Sequence, residues 1–313
     1  MLPDDEESLV QDVTERLLRV DPRKLNDRVV VMSGNQAWGA FGEIHKGTYN
    51  TNKVCIKTFK RIDDVGKFIE RLIREMRVWR KLTHAHIVEL LGWMSYLESK
   101  EKLCPSLVSH WCDEGDVRTF LRRRRDADRR ALIRGIANGL AYLHSQEIIH
   151  GDIKPEVTVS NSRESACIVR KMLSTFGTFR YLAPEVIVDE KPTRDEKSDV
   201  WAFGCTALEI LRDARPYSSI TNDFAIIKAI GFGKPPFTLS STDPTEILLA
   251  PCLKPNPNDR TEMQSVLKSL PNHSGNGQFD YCSAAPSSDV HISGPTLQFS
   301  ASHEEGSLPN PAS

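Results

Sequence analysis

The sequence predicts an α+β protein in which a strand-rich block precedes a helix-rich block. Short β-branched runs separated by glycines occupy residues 28–58, a pattern typical of strands in a small sheet. Beyond Cys112, apolar residues recur at three- and four-residue spacing in 119–144 and 198–212, which indicates helices. The 313 residues, with 39% hydrophobic and 27% charged side chains, are enough for a globular enzyme of two lobes.

Three further elements complete the expected order. An amphipathic helix that packs against another surface is predicted at residues 6–20. A long helical stretch follows at 65–82, and two strands are expected around 87–97 and 106–111. The predicted first helix rests on five apolar residues at helical spacing, namely Leu9, Val10, Val13, Leu17 and Leu18.

Composition limits the classes of partner and compartment. The 41 Lys and Arg residues nearly balance the 42 Asp and Glu residues, so no overall field favours nucleic acid or an anionic membrane. The seven cysteines are scattered and never form C-x-x-C, which argues against a disulfide framework or a zinc site. The start is acidic, unlike a signal peptide, and no apolar run is long enough to span a membrane. The sequence therefore predicts a cytosolic or nuclear protein.

A series of short motifs follows in a fixed order. Gly39 and Gly42 form G-x-x-G, with Ala37 where a further glycine would complete G-x-G-x-x-G, and glycines let backbone amides approach a polyphosphate. Lys57 ends "VCIK", and Glu75 lies in the predicted helix beyond it. The later motifs are "HGDIKPE" at 150–156, "GTFRYLAPE" at 177–185, "SDVWAFG" at 198–204 and "NPNDR" at 256–260.

Together these motifs resemble the protein kinase fold, and most closely its tyrosine-kinase-like group, over residues 29–270. The resemblance implies a two-lobed fold with a small strand-rich N-lobe containing one long helix and a larger, mainly helical C-lobe. It divides the chain into a helical extension at 1–27, an N-lobe at 28–111, a C-lobe at 112–272 and a tail at 273–313. The tail is rich in Ser, Pro, Gly and Asn, and this composition predicts disorder.

The resemblance also implies roles for individual residues in an ATP-binding cleft. Lys57 would hold the α and β phosphates, and Glu75 would pair with it. Asp152 takes the position of the catalytic base and Lys154 that of the residue that steadies the γ phosphate. The remaining cleft residues are Gly39 and Gly42 over the phosphates, Ile44 and Cys55 around the adenine, Ser109 as gatekeeper and Cys112 as the backbone partner of the adenine.

Other carried-over roles are structural. Asp199 would accept backbone hydrogen bonds from the catalytic loop that begins at His150. Glu185 would form a buried ion pair with Arg260 in the helical lobe. His150 would belong to an internal stack of side chains that includes Trp79.

The pattern fails where the family holds magnesium. The Asn expected five residues after Asp152 is replaced by Val157, and one residue of the loop is missing. In place of D-F-G the chain has Arg170, Lys171 and Met172, so a cation stands where a carboxylate should be. Gly151 replaces the Arg that usually precedes the catalytic Asp, which makes control by a phosphorylated activation loop improbable.

Two hypotheses follow from these losses. The first is a pseudokinase that still holds ATP but has doubtful magnesium binding, no assigned metal ligand and weak or no phosphotransfer. The second is an active Ser/Thr kinase that holds magnesium through substitutes, for which Asn161, Glu156 and Glu164 are candidates. A misjudged exon boundary within 157–176 would account at once for the missing loop residue, the missing D-F-G and the short segment before residue 177, and a transcript read across the region tests that. In either case the expected partner is a protein substrate or a signalling protein.

An arginine cluster raises a different class of function. The run "RRRR" at 122–125 has Arg118, Arg129, Arg130 and Arg134 nearby, which offers a surface for nucleic acid or another anionic partner as an alternative. Asp126 and Asp128 interrupt the run, and no aromatic residues are interleaved with it. The composition favours a solvated helix face and no nucleic-acid partner.

Overall fold

The fold is known from a computed structural model of the whole chain. Eight ranges are described here, and all structural statements concern them: 4–39, 42–59, 65–97, 103–159, 166–168, 179–189, 193–239 and 242–271. The predicted tail at 273–313 and the residues 170–172 lie outside these ranges. The described residues fall within one compact unit that spans Met1–Gly275.

An antiparallel five-stranded sheet with the strand order β1-β2-β3-β5-β4 forms the first lobe. Alternate residues of β3 differ in burial, as expected for a sheet with two distinct faces. Val54 and Ile56 are buried against one face, whereas Cys55 and Lys57 are half-buried on the other. The strands are β1 (Val29–Gly39), β2 (Gly42–Tyr49), β3 (Asn52–Phe59), β4 (Leu90–Leu97) and β5 (Leu103–His110).

The second lobe is mainly helical and carries one small hairpin of two strands. Asp128 and Asp195 cap the first turns of two of its long helices with their carboxylates, and this accounts for where those helices begin. The hairpin strands are β6 (Thr158–Val159) and β7 (Ala166–Cys167). The α-helices within the described ranges are α1 (Asp4–Val20), α2 (Val65–Trp79), α3 (Val117–Arg123), α4 (Arg129–Ser145), α5 (Pro184–Val188), α6 (Glu196–Arg212), α7 (Asp223–Gly231), α8 (Pro244–Leu249) and α9 (Met263–Ser269).

The predicted N-terminal helix is present and belongs to the core of the first lobe. Val13 and Leu17 are buried in the same apolar cluster as the residues of α2. Leu18, which the periodicity placed on the packing face, is instead exposed. It follows Leu17 directly, and consecutive helical residues point about 100° apart, so both cannot face α2.

The α+β architecture with a strand-rich lobe and a helical lobe is confirmed. The largest apolar cluster runs from α1 and α2 into the helices α4 and α6. A second cluster covers the opposite face of the sheet through Leu25, Val29 and the buried residues of β3. Among the helices described, none is long and apolar enough to cross a membrane.

The arginine cluster is largely occupied with contacts inside the protein. Arg123 pairs with Glu114, Arg124 with Asp126 at 3.4 Å, and Arg125 with Asp213 at 2.7 Å. Arg118 and the arginines of α4 also donate hydrogen bonds within the protein. Arg118 donates to the carboxylate of Glu209, and Arg130 donates to the hydroxyl of Thr245. Backbone carbonyls accept from the other two, namely Ile210 O from Arg129, and Leu267 O and Leu270 O from Arg134. These contacts favour a structural use of the arginines over a surface for nucleic acid.

Candidate active site

The glycine-rich segment is a β-hairpin whose arms close at two glycines. Gly39 ends β1 and pairs with Gly42, which begins β2. The segment 34–47 is therefore largely strand, and residues 40–41 at its tip lie outside the described ranges. Ile44, two residues into β2, is half-buried and lies opposite Lys57 of β3.

The cleft face of the sheet carries Lys57. Lys57 lies directly opposite Leu107 of β5, so both side chains point to the same face of the sheet. Leu107 belongs to the cluster that contains Leu72 and Met76 of α2. Lys57 therefore faces the side of the sheet that α2 covers, and Glu75 is a half-buried residue of that same helix.

Two cysteines and two hydroxyls border the expected adenine position. Cys55 lies opposite Ser109, which is buried. Burial raises the pKa of the Cys55 thiol to about 11, although Lys57 and a hydrogen bond with Ser109 oppose the rise. Burial also raises the pKa of Cys112, whose thiol contacts Thr158. Both thiols therefore stay protonated near neutral pH.

An electrostatic contact ties the sheet to the segment that connects the lobes. Asp113 follows Cys112 and accepts from Lys53 at 2.8 Å, while Lys46 lies 3.5 Å from its other oxygen. The Lys53 contact lowers the pKa of the Asp113 carboxyl. Lys46 also lies over the ring of Trp111 at 4.9 Å. Both lysines come from the sheet, so Asp113 joins β2 and β3 to the connecting segment.

The start of the catalytic loop is held by one buried carboxylate. Asp199 of α6 accepts from the backbone amides of His150 and Gly151, each at 2.7 Å. The Nε2 atom of His144 lies 3.1 Å from the same carboxylate. The backbone amide of Asp152 lies 3.2 Å from His150 Nδ1, so the loop turns tightly into its predicted base.

The structure brings the two predicted catalytic side chains together. Lys154 Nζ lies 3.5 Å from Asp152 Oδ2, and both side chains are largely shielded from solvent. Gly151 has φ of 73°, which suits a residue without a side chain. The Arg194 side chain runs past it, with Cδ 3.2 Å from the place where a Cβ on Gly151 would be. A side chain at position 151 would therefore displace Arg194.

The far end of the loop is apolar. Val157 is 5% exposed and belongs to the main core cluster. Its amide donates to Lys154 O at 3.2 Å, and its carbonyl accepts from the amide of Val117 at 3.0 Å. The next residue, Thr158, pairs with Cys167 in the small hairpin. Val157 is thus an integral core residue and points no oxygen towards the cleft.

At position 157 the chain offers no side-chain ligand for the magnesium ion that the family holds there. Magnesium takes oxygen ligands, and Val157 has none in its side chain. In the described ranges, no group of three or more His, Cys, Asp or Glu side chains has a metal-binding arrangement. Glu156, one substitute ligand, accepts from Arg118 at 3.1 Å. The other substitutes, Asn161 and Glu164, and the cation at Arg170 lie outside those ranges.

Two charge networks support the helical lobe below the loop. Arg260 donates to both carboxylate oxygens of Glu185, at 2.6 and 2.7 Å, and its guanidinium lies 5.0 Å from the centre of the Trp201 ring. Arg118 donates to Glu209 at 2.7 Å, and Tyr181 donates to the other oxygen of Glu209 at 2.5 Å. The Glu185 to Arg260 contact expected from the sequence is present, whereas the Arg118 network was not anticipated.

Sequence reasoning missed several residues at the site for identifiable reasons. Arg118 was treated as one of a group of surface arginines, because its partner Glu209 is 91 residues away in the sequence. Asp113 had no motif around it, and its two lysines come from different strands. Arg194 is next to Gly151 only through the fold. The signal in the sequence was the glycine at position 151, which leaves room beside the loop for a side chain such as that of Arg194.

Comparison with known proteins agrees with this geometry. The profile of the family described as the protein kinase domain matches residues 37–270. Over 75% of the present chain, the sequence is 27% identical to serine/threonine-protein kinase STY17 of Arabidopsis thaliana. Over 74% of the present chain, it is 30% identical to mitogen-activated protein kinase kinase kinase 13-A of Xenopus laevis. It is also 25% identical to cytokinesis protein sepH of Aspergillus niger over 74%. The matched regions span 43%, 24% and 18% of these relatives.

The fold and the site define a kinase-type cleft, with a glycine-rich hairpin and a strand lysine above a catalytic-type loop. The chain belongs to the protein kinase family, since that profile covers most of it. Two of these three relatives have names that describe them as protein kinases. A kinase domain implies ATP binding.

Proposed function

We propose that this chain is a nucleotide-binding pseudokinase in which phosphoryl transfer is slight or absent. The observation that carries the proposal is the burial of Val157 in the apolar core at the end of an otherwise well-supported catalytic loop. The loop keeps a base at Asp152 and a cation at Lys154, 3.5 Å apart. It offers no oxygen where the family's Asn would hold a metal ion.

The loss matters because phosphoryl transfer depends on charge neutralisation. Magnesium, when bound in this family, neutralises the charge that develops on the phosphate oxygens. Without its ligands, Asp152 can still orient a hydroxyl, but orientation alone leaves most of the barrier in place. Arg170 adds a positive charge in the same region of the sequence, which further disfavours a metal ion.

Nucleotide binding is proposed from the part of the cleft that is retained. Lys57 faces the side of the sheet covered by α2, as a phosphate-binding lysine requires. Gly39 and Gly42 close the hairpin where the phosphates would pass, and Ile44 and Cys55 line the same sheet. Ser109 lies opposite Cys55, and Cys112 follows the end of β5, where the adenine would bind.

An active Ser/Thr kinase is the second candidate. It is favoured by the retained contact between Asp152 and Lys154, and by relatives that are named as kinases. Its weakness concerns Glu156, the candidate magnesium ligand that lies within the described ranges. The Glu156 carboxylate is already paired with Arg118.

A thermal-shift titration separates the two candidates. We expect ATP to raise the melting temperature to a similar extent with magnesium and with EDTA, and the Lys57→Ala variant to lose the shift. A radiolabelled transfer assay run beside it should give the same background for the wild type and for Asp152→Ala. Strong magnesium-dependent stabilisation together with transfer that Asp152→Ala abolishes supports the active kinase instead.

A further inference from the structure

We propose that α1 is a built-in positioning element for the nucleotide site, which holds Glu75 in place by packing against the opposite flank of α2. The inference rests on the proposed binding of nucleotide at Lys57 and Glu75. It assigns a role to a segment that lies ahead of the residues matched by the kinase profile, which begin at 37.

Apolar residues of α1 share a buried cluster with α2. Val13, Leu17 and Val20 recur at spacings of four and three residues, so they form one stripe along α1. All three are buried in the cluster that holds the apolar face of α2. The α2 members of that cluster are Phe68, Ile69, Leu72, Ile73, Met76 and Trp79.

An ion pair fixes which flank of α2 the first helix covers. Arg16 of α1 donates to the carboxylate of Glu70. Glu70 and Glu75 are five residues apart, and at about 100° per residue they point about 140° away from each other. The helix α1 therefore holds one flank of α2, and Glu75 projects from the other.

The segment from Asp21 to Leu25, called the strap, joins α1 to the sheet that carries Lys57. Just past the end of α1, the backbone pairs with Trp93 of β4: Leu25 N donates to Trp93 O at 2.8 Å, and Trp93 N donates to Arg23 O at 3.1 Å. The indole Nε1 of Trp93 donates to Asp21 O at 2.7 Å. A Cβ at Gly92 would lie 2.4 Å from Arg23 O, so glycine is needed for this approach.

These contacts form a continuous path from the sheet to Glu75. The strap fixes α1 to β4, α1 fixes α2, and α2 carries Glu75 towards β3. Loosening α1 should let α2 shift relative to the sheet, and Glu75 would then be displaced from Lys57.

A matched pair of charge reversals tests the role. Arg16→Glu breaks the contact with Glu70 and also an i,i+4 pair with Asp12 at 3.7 Å. Arg19→Glu breaks an equivalent i,i+4 pair with Glu15, also at 3.7 Å, and the Arg19 side chain is 78% exposed. We expect Arg16→Glu to weaken ATP binding by about threefold to tenfold and Arg19→Glu by less than about twofold. The double variant Arg16→Glu/Glu70→Arg should recover most of the affinity.

The Glu75 background separates positioning from general loosening. In a Glu75→Gln protein, Arg16→Glu should produce no further loss of ATP affinity, because the residue through which α1 acts is already changed. An equal loss in both backgrounds, or equal effects of Arg16→Glu and Arg19→Glu, overturns the inference.

Amide hydrogen exchange of residues 72–79 keeps the test independent of nucleotide. If the wild type binds no ATP, the proposed function fails, and the exchange comparison alone decides the role of α1. Selective loss of protection in Arg16→Glu supports it. Equal protection in Arg16→Glu and Arg19→Glu contradicts it. If the wild type binds ATP and Arg16→Glu leaves the affinity unchanged, the inference fails while the proposed function stands.

Discussion

The two ends of the catalytic loop differ in what supports them and in what they can do. At the first end, the buried carboxylate of Asp199 holds the amides of His150 and Gly151, and Asp152 and Lys154 remain in contact. At the other end, Val157 is part of the apolar core. The groups that support the loop are therefore distinct from the position at which the family holds a metal ion, although both lie within eight residues of the chain.

The largest effect is expected from removing the buried ion pair between Glu185 and Arg260 in the helical lobe. Arg260→Ala leaves Glu185 without its partner in a largely buried site and should destabilise the protein by about 3 to 5 kcal/mol. Chemical denaturation followed by tryptophan fluorescence measures this. The double variant Glu185→Ala/Arg260→Ala should be less destabilised than the sum of the single variants, because no unpaired charge remains. Additive losses would show that the pair is not a coupled support.

Placing the family's Asn directly at the second end should harm the protein. Val157→Asn puts an amide into the apolar core, and we expect a loss of about 2 to 3 kcal/mol with no gain of transfer. Val30 is 67% exposed, so Val30→Asn provides a matched control and should change stability by less than about 0.5 kcal/mol. If Val157→Asn is as stable as the control, Val157 is not the core residue described here.

A smaller effect concerns the histidines that anchor the hairpin at this second end. His86 O accepts from the amide of Ile168, which follows β7, and the amide of His86 lies 3.2 Å from His84 Nδ1. Burial, with a contribution from His86, lowers the pKa of His84 to about 4, and the ring stacks on Tyr142 at 4.6 Å. The unfolded chain binds this proton more readily, so stability should fall as pH drops from about 6.5 towards 4.

The expected loss between pH 7 and pH 5 is about 1 kcal/mol, reduced from the full value because the ring is partly exposed. Denaturation curves at the two pH values measure it. His84→Asn keeps a possible acceptor without titrating and should flatten the difference. An unchanged pH dependence in His84→Asn assigns the loss to other groups.

The smallest effect is expected at the surface. Arg125 and Asp213 form an ion pair in which both side chains are mostly exposed. Arg125→Ala should change stability by less than about 1 kcal/mol, and the change should shrink further in high salt. A loss as large as that of Arg260→Ala would mean that the arginine cluster supports the helical lobe more strongly than its exposure implies.

The sequence predicted those parts of the fold and the site that are marked by short motifs with fixed spacing. Ordered motifs indicated the two lobes, the contact of Asp199 with the catalytic loop and the partnership of Glu185 with Arg260, because these residue types recur in a fixed order. The integration of α1 could not be read from periodicity. An amphipathic stripe shows that a helix packs but not on what, and the strap between Asp21 and Leu25 depends on Trp93, about 70 residues later.

Long-range charge partners were also beyond the sequence. Arg118 is one of many arginines in its region, and only the fold shows that Glu209 and Tyr181 lie beside it. The missing ligand at Val157 was visible as a departure from a pattern. Its burial in the core could be established only from the structure.

The most direct test of the central claim is phosphoryl transfer measured in three proteins with labelled ATP and magnesium. These are the wild type, Asp152→Ala, and a variant with an Asn inserted before Val157 together with Arg170→Asp. Insertion leaves Val157 in the core while supplying an amide oxygen, and the second change replaces a cation with a carboxylate. We predict that the wild type matches Asp152→Ala and that the restored variant gains transfer of at least about tenfold. Wild-type transfer that disappears in Asp152→Ala, with no gain on restoration, would contradict the account.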